Sequence, residues 1–175
     1  ALFEYRSLAK TDNLLIYYAG HGIQDKKIDK GYWQPIDARN TSKSNWIANS
    51  DIADEMRAIP AKHIMIVADS CYSGTLMRSP LQTSPKDKNL KWIKKMTKTK
   101  SRTVLTSGGV EPVVDGGGGG HSVFAKYFIK ALSTEKKIIT GPELYEMVKK
   151  NVFRNAPQTP LYNELYRAGS EGGEF

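Results

Sequence analysis

Three short apolar runs, Asn13–Ala19, Lys62–Ala68 and Thr103–Thr106, constrain the fold of this chain more than any other feature. Each carries its apolar residues consecutively rather than at every second position, the pattern of strands covered on both faces. Each runs directly into small or polar residues: Gly20-His21-Gly22, Asp69-Ser70-Cys71-Tyr72-Ser73-Gly74 and Ser107-Gly108-Gly109. Between the first two runs, Ile52, Glu55, Met56 and Ile59 have helical spacing, with Asn49-Ser50-Asp51 able to cap the helix and Pro60 ending it. Ser122–Leu132 and Gly141–Phe153 predict two further helices, the second accepting Pro142 in its first turn. Shorter elements are expected at Tyr32–Ile36 and Leu161–Tyr166 as strands and at Leu90–Met96 as a helix. Strands alternating with helices predict an α/β fold, a mostly parallel sheet with helices on both faces. Ligands in such sheets bind beyond the carboxyl ends of the strands. The residues waiting there are His21, Cys71 and Ser107.

Composition narrows the functional classes. The 175 residues, with a mean hydropathy of −0.48, suit one domain spanning 1–175. The longest apolar runs fall far short of the ~20 residues needed to cross a bilayer, so no membrane partner is expected. A single cysteine excludes an intrachain disulfide and a multi-cysteine zinc site. The sequence has neither a His-Glu-x-x-His helix nor an acidic calcium loop, so the expectation is no metal and no cofactor. Gly116–Gly120 lack the Gly-Lys-Ser/Thr ending of a phosphate cradle and read as a loop. The single cysteine makes a cytoplasmic location the expectation, and the start, Ala1-Leu-Phe-Glu-Tyr, with neither an initiator Met nor the apolar core of a signal peptide, is read as part of a longer gene product.

The net charge of +8 invites a nucleic-acid reading. Its distribution argues otherwise. Between Lys86 and Arg102 eight basic residues stand against Asp87 alone, so nearly the whole excess lies in one segment. No base-stacking pattern of aromatics accompanies it. Residues 78–102 therefore read as an exposed basic linker inside the domain, with no nucleic-acid partner expected.

The strand ends carry chemistry. A thiolate attacks a carbonyl carbon, and a neighbouring imidazole takes the thiol proton and later protonates the leaving amine. His21 and Cys71 are placed for that exchange. The amides of Gly22 and Cys71 are candidates for holding the oxyanion, glycine allowing close approach. Taken singly, a cysteine after an apolar strand is more simply a small buried residue, and a histidine a hydrogen-bonded turn residue; the pair carries the functional reading. His63 begins the strand whose far end bears Cys71, so a structural role is expected. His121 follows the glycines, where a helix-capping role is simpler than a pocket role.

Tyr17-Tyr18-Ala19-Gly20-His21-Gly22 and Asp69-Ser70-Cys71-Tyr72-Ser73-Gly74 resemble the catalytic blocks of the caspase-like cysteine peptidases. Cys71 follows His21 by 50 residues, close to the ~50-residue caspase spacing. The Asp-Ser-Cys-x-Ser-Gly form resembles the metacaspase and bacterial orthocaspase branch, and Arg102–Gly109, Ser122–Phe124 and Gln158–Pro160 extend the similarity along the chain. The resemblance implies a cysteine endopeptidase acting on proteins or peptides, with His21 and Cys71 catalytic. It implies a pocket carboxylate at Asp69 where animal caspases rely on arginines; the position after the cysteine here is Tyr72. Such a pocket takes Arg or Lys before the scissile bond, with Ser107 and Asp115 as further substrate-binding residues and self-cleavage expected in the basic linker. The alternative for Asp69 is that it braces its loop. The family's first central strand is expected in a missing N-terminal segment, which then counts as a partner. Where metacaspases carry a serine before the histidine and paired acids before the cysteine strand, this chain has Ala19 and Trp46–Asp51, which argues against calcium activation of that kind. Two other readings stand beside the enzyme: a non-catalytic caspase-like interaction module of a larger signalling or defence protein, and an anion-binding domain using the lysines and glycines.

Overall fold

A computed structural model describes residues 2–71, 73–77, 90–109, 116–117, 119–134 and 138–175. The main sheet contains β1 (Asn13–Ala19), β5 (His63–Asp69), β6 (Ser101–Thr106) and β7 (Leu161–Glu164), in the order β1-β5-β6-β7. β1 and β6 both run parallel to β5, and β7 is antiparallel to β6. This is the mostly parallel α/β fold expected from the apolar runs. A separate antiparallel sheet holds β2 (His21–Asp25), β3 (Lys30–Gln34) and β4 (Ile47–Ala48).

β5 is buried along its whole length, and its period of two divides the core. Ile64, Ile66 and Ala68 face one cluster with Ile52 and Met56 of α1 (Asn49–Ala58). Met65 and Val67 face the other, with Phe124 and Phe128 of α3 (Val123–Thr134) and Leu144, Val148 and Val152 of α4 (Gly141–Asn155). Each such aliphatic or aromatic side chain contributes about 1.5–3 kcal/mol on burial, so the helices are fixed to both faces of the strand that delivers Cys71. At β1, Leu14, Ile16 and Tyr18 pack against the first cluster, whereas Leu15 and Tyr17 remain 47% and 41% exposed. Among the described residues β1 pairs with β5 alone.

Local differences from the sequence reading have physical causes. The chain does not simply turn at Gly20-His21-Gly22; it leaves the main sheet at Gly20 and begins β2 at His21, paired with Gln34. The strand expected at Tyr32–Ile36 lies at Lys30–Gln34, because its register is set by the hairpin with β2 rather than by the main sheet. Asn49 does not cap α1 but lies inside it, buried, donating from Nδ2 to Thr75 Oγ1 at 2.6 Å. The helix expected at Leu90–Met96 is present as α2 and buries none of its residues.

The exposed linker does not reach Arg102. Ser101 and Arg102 belong to β6 and are fully buried. The Arg102 guanidinium donates to the carbonyls of Met56, Ile59, Ala61, Lys62 and Ser101 at 2.7–3.1 Å. Carbonyls at the end of α1 and in the turn to β5 thus supply the compensation that makes a buried charge tolerable. Burial lowers its pKa to about 10. Residues 78–89 of the linker lie outside the described residues.

Candidate active site

The parallel register places Ala19 beside Asp69, so β1 and β5 end together. The Gly20 N–H donates to the Asp69 carbonyl at 3.4 Å, tying the two exits. His21 follows one strand and Cys71 the other, and both line a cleft of about 510 Å³. Its other walls include Tyr17, Asp69, His121 and Ser122.

The backbone around both side chains is pinned. Tyr18 stacks on Trp33 with ring centroids 4.1 Å apart, and its hydroxyl lies 2.8 Å from the His21 carbonyl and 3.2 Å from that of Gln34. On the other side, the Ser73 hydroxyl is 2.9 Å from the Ser70 carbonyl and 3.2 Å from that of Gly108, and the Gly74 N–H donates to the Gly109 carbonyl. The turn after Cys71 is thereby fastened to the end of β6. Gly22 closes the arrangement: a β-carbon there would lie 2.0 Å from the Cys71 carbonyl oxygen. Only glycine permits the His21-bearing strand to approach the Cys71 backbone so closely.

Asp69 is nearly buried, 7% exposed, yet borders the cleft. Its Oδ2 accepts hydrogen bonds from the Ser122 hydroxyl and, at 3.3 Å, from the Tyr17 hydroxyl. Burial and the adjacent Asp69 carboxylate both raise the Tyr17 pKa, keeping the phenol protonated as a donor. Ser122 also accepts from the Ala125 N–H at 2.9 Å, as the N-cap of α3 does. One hydroxyl therefore links the start of α3 to the cleft carboxylate.

The remaining sequence candidates fall differently. Ser107 is fully buried, its hydroxyl 3.5 Å from the Ser70 carbonyl, and it does not line the cleft. Its place is beneath the Cys71 loop, behind the residues that line the cleft. Asp115 and Tyr72 lie outside the described residues. His63 is at the opposite end of β5, with Nδ1 2.8 Å from Asn13 Oδ1 and Nε2 3.2 Å from the Thr99 carbonyl. His121, expected to be structural, instead lines the cleft. The signal for it was its position between a glycine run and a helix start; that for Tyr17 was its place two residues before the end of β1. Among the described residues, no group of three His, Cys, Asp or Glu is arranged to hold a metal ion, and no helix is long and apolar enough to cross a membrane.

A family model described as the caspase domain matches residues 3–167. Among solved structures, a protein from Geobacter sulfurreducens, determined as a structural genomics target, is similar with a TM-score of 0.59 and 14% identity. The match covers 94% of this chain and 70% of that one. At that identity the likeness concerns the fold. No curated protein matches the chain.

Proposed function

The chain belongs to the caspase-domain family, and on that premise we propose that it is a cysteine endopeptidase cleaving polypeptides after Arg or Lys. The observation carrying this reading is that Cys71, His21 and the nearly buried Asp69 share one cleft at the carboxyl ends of adjacent parallel strands. His21 takes the proton from Cys71, and Sγ attacks the scissile carbonyl carbon. The amides of Gly22 and Cys71 receive the negative oxygen of the tetrahedral intermediate. The C–N bond then breaks as His21 gives its proton to the leaving amine, leaving a thioester. Water attacks that thioester with His21 as base, the carbon–sulfur bond breaks, and the thiol is restored.

Asp69 supplies the preference. A carboxylate at the cleft wall, oriented by two hydroxyls, forms a charge-assisted contact with Arg or Lys and repels Asp or Glu. The basic segment 78–100 offers sites for self-cleavage between the Cys71-bearing part and the carboxyl-terminal part. A further strand of the same domain, pairing along β1, is supported by the position of β1 at the edge of the main sheet, where among the described residues it pairs with β5 alone.

Fluorogenic peptides ending in Arg, Lys, Asp or Leu test the proposal. Arg and Lys are expected to be cleaved and Asp refused, and Asp69→Ala is expected to reduce the preference for Arg over Leu by about 30-fold or more. Preferential cleavage after Asp, or unchanged Arg selectivity in Asp69→Ala, would overturn the assignment.

A further inference from the structure

His21 stands between two cavities. Ala19, Gly20 and His21 form a wall shared by the cleft that holds Cys71 and Asp69 and by a second one of about 570 Å³. Resting on the peptidase reading, we propose that the second cavity receives the residue immediately after the scissile bond and selects an uncharged, apolar side chain there. Proton transfer fixes which side is which. The carbonyl carbon must meet Cys71, so the acyl half of the substrate occupies the Asp69 cleft. The leaving nitrogen must meet His21 to be protonated, and the residue it belongs to then continues past His21 into the second cavity.

The lining supplies the selectivity. Among the described residues, no Lys, Arg, Asp or Glu contributes to this second cavity, in contrast to the first, which Asp69 borders. Pro35, Ile36 and Ala38 form an apolar wall, held as a turn by the Ala38 N–H donating to the Pro35 carbonyl at 2.9 Å. The neighbouring polar groups are engaged with one another: Gln34 Nε2 donates to Asn40 Oδ1 at 3.3 Å, and the Tyr18 hydroxyl is directed at the His21 and Gln34 carbonyls. Ile36 is fully exposed. Its side chain contributes nothing to the core and is free to cover an apolar partner. A charged leaving residue would lose water there without gaining an ion pair. Within the basic segment, Lys91–Trp92 and Lys95–Met96 alone join a basic residue to an apolar one, so these are the self-cleavage bonds such a cavity favours.

Internally quenched peptides identical except for Leu, Gly, Lys or Asp after a fixed Arg test the inference, with a peptidyl-arginine methyl ester as a substrate that has no residue beyond the scissile bond. The wild-type protein is expected to hydrolyse the ester and to cleave the Leu peptide with a kcat/KM about 10- to 100-fold above the Lys and Asp peptides. Ile36→Lys is expected to lower the Leu-to-Asp ratio by about 10-fold or more. Ester hydrolysis with equal cleavage of all four peptides, or a Leu-to-Asp ratio unchanged in Ile36→Lys, would overturn the subsite while leaving the peptidase reading intact. Failure to hydrolyse ester and peptides alike would overturn both.

Discussion

Gly22 and Cys71 meet backbone to backbone, with room for no side chain at Gly22: a β-carbon there would stand 2.0 Å from the Cys71 carbonyl oxygen and 3.1 Å from its carbon. The strand bearing His21 and the loop bearing Cys71 are thus in register through a glycine. Gly22→Ala is expected to push them apart, lowering kcat/KM by about 100-fold or more because the Gly22 and Cys71 amides proposed to hold the oxyanion lose their alignment. The overpacking also costs about 1–3 kcal/mol of stability. Steady-state kinetics and urea melts check this; near-normal turnover would show that the close approach is not needed for activity.

Ser122 joins the start of α3 to the carboxylate at the cleft, since its hydroxyl caps α3 and donates to Asp69. Ser122→Ala is expected to destabilise the fold by about 1 kcal/mol through the lost cap. It should also narrow the rate advantage of Arg over Leu peptides, because Asp69 loses a donor that orients it. A stability loss with the Arg-to-Leu ratio unchanged would separate the cap from the pocket.

How far the site could be read from sequence follows from the same geometry. The placing of His21 and Cys71 at adjacent strand ends was legible because each apolar run is long enough to fix where its strand ends, whereas Asp69 was singled out by the resemblance to the metacaspase branch. Tyr17, Ser122 and His121 were not, because their importance comes from contact with Asp69 or with the cleft across the fold, which no local pattern encodes. The second sheet was hidden for a different reason: β4 is only Ile47–Ala48, and β2 begins with residues that read as a turn. Arg102 looked like one more charge in a basic run because nothing in its immediate sequence reveals the carbonyls of α1 and the β5 approach that surround it.

Arg102 replaces a helix cap and a turn brace with one side chain. Arg102→Ala is expected to cost on the order of 4 kcal/mol or more, since it leaves both a cavity and buried carbonyls without donors. Arg102→Lys should cost about 2–3 kcal/mol, because an ammonium cannot reproduce the planar fork. Chemical denaturation of the two variants gives the order; equal, small losses would contradict the role assigned to the guanidinium.

Burial holds the His63 imidazole below its usual pKa, although its contact with the Thr99 carbonyl opposes the shift. Below about pH 6.5 the unfolded chain binds a proton at this site that the folded chain resists. The His63 contribution is therefore present above that pH and is lost as pH falls through the lower folded-state value. Thermal melts between pH 7.5 and 5 should show a steeper decline for wild type than for His63→Asn. Parallel declines would contradict the assignment.

The most direct measurement of the central claim is turnover of an Arg-terminated fluorogenic peptide by wild type, Cys71→Ala and His21→Ala, each shown by circular dichroism to be folded. The two side chains act as one unit, so either variant is expected to lose about 1,000-fold or more in kcat, with the loss in one approaching that in the other. Substantial turnover by Cys71→Ala would contradict a cysteine nucleophile and, with it, the account given for this cleft.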